Sequence, residues 1–207
     1  MCIRDSRSEA SCGGLFRLLF DTRAYIFEPN PPFKHRISLK RPIKQKGVVP
    51  IHMMVQGQSM SEILRTCPYA RAAVHGGTYA PCLRGFVSFY PWARGTLVKA
   101  EVVNLPAEDT GPFFGLHIHE QGCCEKDFTC AGGHFNPTNQ PHPFHAGDLP
   151  VLLSNHGYAY MTVYTDRFRP CDVIGRSVII HQMPDDYRSQ PAGDSGERIG
   201  CGIILKC

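Results

Sequence analysis

Apolar side chains in this chain gather in short runs separated by Gly, Pro, Asn and Asp: residues 84–90, 95–105, 113–119, 158–164, 173–181 and 199–205. Leu97-Val98-Lys99-Ala100-Glu101-Val102-Val103 partly alternates, as a half-buried strand does. No stretch sustains the helical spacing long enough for an amphipathic helix, and no internal repeat occurs. Short strands joined by turn residues predict an all-β sandwich or barrel. Two long stretches, 121–155 and 182–200, lack the alternation altogether. Loops of this length inside a compact domain are usually functional. Most of the residues capable of chemistry lie in or beside them.

The first 66 residues read differently. Pro29, Pro31, Pro32, Pro42 and Pro50 interrupt them, and the basic run from Lys34 to Lys46 has no period. They carry 11 basic and 5 acidic side chains, a balance of +6, whereas residues 67–207 carry 11 and 13, a balance of −2. The net charge of +4 therefore belongs to the leader, and it gives the folded part no nucleic-acid signature. The opening MCIRDS resembles translated adapter sequence, so much of residues 1–59 is expected to be upstream read-through, with Met53, Met54 and Met60 as candidate starts. A disordered basic tail is the alternative. The expected organisation is a leader at 1–66 and one domain at 67–207. No apolar run approaches a membrane span and no export signal is seen, so the expectation is a cytoplasmic protein without a membrane or nucleic-acid partner.

Candidate chemistry centres on Gly115-Leu116-His117-Ile118-His119-Glu120. Residues two apart on a strand share a face, so His117 and His119 project together while Leu116 and Ile118 face a core. Such a pair alone is commonly two solvated surface residues. Further imidazoles change the picture: Gly133-His134-Phe135-Asn136-Pro137, His142-Pro143-Phe144-His145 and Val178-Ile179-Ile180-His181, with a carboxylate at Asp148. Imidazole suits copper and zinc, and one carboxylate among nitrogens favours zinc. Six histidines and one aspartate are one donor short of two four-coordinate sites. A single imidazole using both ring nitrogens would close that gap.

These motifs, GLHIHE at 115–120, AGGHFNP at 131–137, HAGDLP at 145–150, VIGRSVIIH at 173–181 and GERIGCG at 196–202, resemble those of the bacterial copper–zinc superoxide dismutases. The resemblance covers about residues 70–205 and implies a Greek-key β-sandwich or flattened barrel with two long functional loops. It implies copper on His117, His119, His134 and His181, and zinc on His134, His142, His145 and Asp148, with His134 as the bridge. It also implies that Asp185 links ligands of the two ions, that Arg198 draws in the superoxide anion, and that Cys124 and Cys201 form a disulfide. The activity implied is disproportionation of superoxide to dioxygen and hydrogen peroxide, with copper as the redox ion and His134 passing a proton. Family members occur as monomers and as homodimers.

Three departures from the family pattern bear on these expectations. Only Pro143 and Phe144 separate His142 from His145, so the zinc loop must close tightly. Asp194 stands where the family has asparagine, adding negative charge near Arg198. Cys123 adjoins Cys124, and spacing alone favours Cys124. Cys67, Cys82, Cys130, Cys171 and Cys207 are expected to be free or buried thiols, and His75 and His156 to bind nothing. Gly193-Asp194-Ser195-Gly196 resembles a serine-protease nucleophile motif. Glu197 in place of glycine, and no Ala-His-Cys segment, argue against that activity. A dismutase-like domain that stores or delivers metal is the non-enzymatic alternative.

Overall fold

Period-two alternation becomes nine antiparallel strands among the described residues. The structure is a computed structural model and describes residues 58–106 and 111–207; the expectations for residues 1–57, Met53 and Met54 included, fall outside them. The strands are β1 Ala70–Gly76, β2 Arg84–Trp92, β3 Gly95–Val103, β4 Phe113–Phe114, β5 Leu116–His119, β6 Leu152–Leu153, β7 Ala159–Thr165, β8 Ser177–His181 and β9 Arg198–Lys206. Seven form one curled sheet in the order β5-β8-β9-β1-β2-β3-β7, and β4 pairs separately with β6. The last strand thus inserts between β8 and β1, a crossing of the Greek-key kind. The expected all-β architecture is the observed one.

The sheet buries its inner face. Ala72 opposes Val87, and Val87 opposes Ala100, so core residues line up in files across the strands. From β5 and β8 come Leu116, Ile118, Val178 and Ile180, all fully buried; each such side chain contributes about 2 kcal/mol. No strand is expected from the sequence at β1, because its inward residues are Ala70, Ala72 and Val74, too small for a strong apolar signal. The run 173–181 also divides. Pro170–Val173 forms a 3₁₀ turn, Gly175 takes φ +78°, and β8 begins only at Ser177.

One helical turn, α1 Met60–Ile63, lies inside the leader expected to be disordered. Its cause is local. The Ser59 side chain accepts from the Glu62 N–H, and the Glu62 carboxylate accepts from the Ser59 N–H at 2.7 Å, a reciprocal capping box. Trp92 Nε1–H donates to the Gln58 carbonyl at 3.0 Å, joining this segment to β2.

The outer face of β5 and β8 carries His117, His119, Ile179 and His181, and it is buried as well. The stretch 121–155 covers it by pairing with the free edge of β5: Phe135 N–H donates to the Ile118 carbonyl at 2.8 Å, Ile118 N–H to Gly147 at 2.9 Å and Glu120 N–H to Gly133 at 2.9 Å. An edge strand needs such cover. At Gly147 the backbones approach so closely that any Cβ would strike the Ile118 carbonyl. Phe128 and Ala131 from this stretch pack on Ile179 and Cys201 as a second, small core.

Two disulfides hold the same stretch: Cys124–Cys201, 77 residues apart in sequence, and Cys123–Cys130, 7 apart. The first is the expected pairing. The second corrects the expectation of an unpaired Cys130: the chain folds back at 125–129 and brings two cysteines together that spacing did not connect. Cys82 is disulfide-bonded too, which corrects that expectation as well; the local sequence carries no signal of it. Cys67, Cys171 and Cys207 are free and exposed.

Candidate metal centre

Strand geometry fixes half of the centre. His117 opposes Ile179 and His119 opposes Ser177 in the β5–β8 ladder, so both rings stand on the outer face beside His181. The β8–β9 pairing shifts register between Ile180 and His181, and a bulge of this sort re-aims the side chain at the strand end. His119 Nε2 lies 3.3 Å from His181 Nε2. The His134 ring enters from the covering loop, with its centroid 4.0 Å from that of His117 and 4.9 Å from that of His119.

The other half lies on the loop. His134 Nδ1 is 2.7 Å from an Asp148 carboxylate oxygen, and His145 Nδ1 is 3.2 Å from the same oxygen. His142 Nδ1 lies 3.2 Å from the second Asp148 oxygen. The shortened 142–145 segment therefore still brings its two imidazoles to one carboxylate. Arg167, absent from the sequence reading, explains how: its Nη1 donates to the carbonyls of Pro143, His145 and Asp148 at 3.2, 3.1 and 3.2 Å. One guanidinium thus gathers the loop's main chain.

Asp185 joins the halves. Its two oxygens lie 2.8 Å from His117 Nε2 and 2.9 Å from His142 Nε2, and the Tyr187 N–H donates to it at 2.7 Å. Such a partner fixes ring tautomer and orientation. Gly193, at φ +70°, runs so close that a Cβ there would collide with Asp185 and the His142 ring. Arg198 is half-buried: Nη1 donates to the Phe128 carbonyl at 2.7 Å and Nη2 to Gly132 at 2.8 Å. His119 Nδ1 also binds the Gly132 carbonyl, at 2.9 Å, which leaves its Nε2 free to act as a donor atom. Ser195 is buried and donates to Ala192 at 3.0 Å, a turn contact and not that of a nucleophile.

Electrostatics follow from this packing. Burial pushes the His117 pKa down to about 4, against the opposing pull of Asp185. Burial, and then the neighbouring imidazoles, hold His119 and His181 well below the usual histidine range. Burial would raise the Asp185 carboxyl, but the His117, Tyr187 and His142 hydrogen bonds bring it to about 2. Asp148 is likewise lowered despite burial, chiefly by His134. The rings of His117, His119 and His181 are therefore neutral and the two carboxylates ionised, the states that ligate metals.

Donor atoms of His117, His119, His134 and His181 lie within 4.8 Å of one another, as do those of His134, His142, His145 and Asp148. His117 Nδ1, His134 Nε2 and His142 Nδ1 are buried without a hydrogen-bond partner. Unpaired buried nitrogens are costly in a folded protein, and cations held at the two clusters would account for all three. The residues present fit two metal ions.

The family description "Copper/zinc superoxide dismutase (SODC)" matches residues 83–204. The chain belongs to this family. A copper–zinc superoxide dismutase of Deinococcus radiodurans is 38% identical over 142 residues, which take in 58% of this chain and 76% of that protein. The superoxide dismutase-like protein YojM of Bacillus subtilis is 39% identical over 111 residues, 46% of this chain and 57% of its own. Among solved structures, the copper/zinc superoxide dismutase of Brucella abortus superposes with a TM-score of 0.55 at 28% identity, over 65% of this chain and 98% of that one. The architecture of these dismutase-family relatives is the β-sandwich expected from the sequence.

Proposed function

We propose that residues 67–207 form an active copper–zinc superoxide dismutase. In this reading His117, His119, His134 and His181 hold copper, and His134, His142, His145 and Asp148 hold zinc. The observation that carries it is the buried His134 ring, whose Nδ1 meets Asp148 while its unpartnered Nε2 lies within the cluster of His117, His119 and His181. Copper would supply the one-electron redox chemistry of superoxide disproportionation, and zinc has none.

The chain's own residues do the rest. Arg198 keeps its charge at any working pH; the carbonyls of Phe128 and Gly132 hold it close enough to disfavour protonation of His119 and His181. A small anion is drawn to that charge. His134 Nε2, buried and unpaired, is the atom that can take up and release a proton in the centre. Asp185 locks the rings of His117 and His142 through their Nε2 atoms, so the opposite Nδ1 atoms face the donor clusters. Asp194 and Glu197 put negative charge close in sequence to Arg198, which would weaken the attraction of the anion.

Among the described residues no helix is long and apolar enough to cross a membrane. The disulfides at Cys123–Cys130 and Cys124–Cys201 favour an oxidising compartment, which moves our reading away from the cytoplasmic expectation. The test of function is superoxide removal by the full chain loaded with copper and zinc, beside His119→Ala and Arg198→Ala. We expect the first to lose copper and the second to keep it but work slowly and lose most of its salt sensitivity. An inactive wild type that holds both metals would instead favour metal storage or delivery.

A further inference from the structure

We propose that the Cys123–Cys130 disulfide is a positioning device for Arg198, acting through the carbonyl of Phe128. The inference deepens the reading of Arg198 as the cation that draws the anion to the centre. It starts from backbone conformation. Three consecutive non-glycine residues, Lys126, Asp127 and Phe128, have φ of 50°, 49° and 65°. Left-handed backbone is disfavoured for side chains with a Cβ, and Phe has no polar group to compensate locally. A run of such residues persists only where its surroundings over-determine it.

Those surroundings are visible. Cys123 and Cys130 bracket the run, with Cα atoms 5.5 Å apart. Within the bracket, the Phe128 N–H donates to Glu125 at 2.9 Å, Thr129 Oγ1–H donates to Lys126 at 2.8 Å, and the Glu125 N–H reaches Cys130 Sγ at 3.2 Å. From outside, Thr78 Oγ1–H donates to Asp127 Oδ1 at 2.9 Å. The Phe128 ring is buried, edge-on to His75 with centroids 6.0 Å apart.

The left-handed turn at Phe128 aims its carbonyl at Arg198 Nη1, 2.7 Å away. Return of the run to right-handed backbone would rotate that carbonyl away. Arg198 would then keep the Gly132 carbonyl at 2.8 Å as its one close anchor, beside the long contact of Nη1 to the Thr129 carbonyl at 3.5 Å. The Cys124–Cys201 bridge cannot replace the clip, because it fastens the loop before the run begins and leaves 125–130 free to relax. The two adjacent cysteines thus divide the work. Cys124 fastens the loop to β9, and Cys123 fixes the loop's internal path.

The test compares the full chain with Cys123→Ser/Cys130→Ser, each loaded with copper and zinc, by titration with azide as a small monoanion. Loss of one charge-assisted anchor predicts roughly three- to tenfold weaker azide binding, with copper affinity unchanged. In an Arg198→Ala background the same serine pair should have no further effect, the signature of an action routed through the arginine. Thr78→Val, which loosens the run from outside and keeps both disulfides, should give a smaller loss in the same direction and with the same dependence on Arg198. It carries the test if the serine pair does not fold. In the metal-free protein, the Arg198 guanidinium N–H resonances should be resolved in wild type and averaged by rotation in the serine pair. That arm stands even if the native chain binds no copper or azide, an outcome that would count against the function and not against the positioning. Unchanged azide affinity in the serine pair, or equal losses with and without Arg198, would overturn the proposal.

Discussion

On one side of His134 the donors stand on paired strands; on the other they stand on a loop. His117, His119 and His181 belong to β5 and β8, whose inner faces are sealed by Leu116, Ile118, Val178 and Ile180. Their positions follow from the sheet and do not need a metal to exist. His142, His145 and Asp148 have no such ladder beneath them; three carbonyls of their loop converge on Arg167 instead. The first half is a property of the fold. The second is a property of hydrogen bonds with a few side chains, Arg167 at three carbonyls and Gln190 at the N–H and carbonyl of His142, and it should be the easier half to disturb without unfolding the protein.

The largest expected effect comes from the strand side. His119→Ala removes a donor outright and should cost more than the roughly 10- to 100-fold typical of a ligand's supporting partner; copper competition assays read it directly. Asp185→Ala should blur the comparison, because this carboxylate serves His117 and His142 alike. Affinity for both metals should fall about tenfold or more, while a change confined to one metal would show that the halves are uncoupled. Arg167→Ala should sharpen it: zinc affinity falls about tenfold, copper affinity barely moves, and the thermal transition of the metal-free protein changes little.

Acid should weaken the strand side of the metal-free protein. The folded His117 pKa is about 4, against 6.5 for the ordinary group. The unfolded chain therefore takes up protons that the fold refuses, and stability falls as pH drops from about 6.5 toward 4. For His117 alone the loss is on the order of 3 kcal/mol, and His119 and His181 act in the same direction. Urea midpoints at several pH values measure it. Asp185, held at about 2, adds its own loss only below the ordinary carboxylate range. The smallest effect is at the approach to Arg198. Glu197→Gln should raise the rate at low ionic strength about twofold and leave it unchanged at high salt.

The same contrast governs what can be read from the sequence. His117 and His119 are legible because alternation on a strand is rigid geometry, and GLHIHE shows both faces at once. His134, His142, His145 and Asp148 stand out as possible ligands by residue type, but which ion each serves is legible only through the family resemblance, since a loop's path is not encoded in any local period. Arg167 escapes notice for the same reason: in Asp166-Arg167-Phe168-Arg169 it reads as ordinary surface charge, and its role exists only once the loop is folded against it. Cys123–Cys130 depends on three left-handed residues that no glycine announces. The α1 turn, expected from none of the sequence patterns, nonetheless has a local signal in Ser59 and Glu62, three residues apart as a capping box requires.

Both halves meet in one ring, and a crystal structure of the chain loaded with copper and zinc, with anomalous scattering collected at each metal's edge, examines that ring directly. The account predicts copper against Nε2 of His134 and zinc against Nδ1. Two ions that share no residue, or a His134 that touches only one of them, would contradict it.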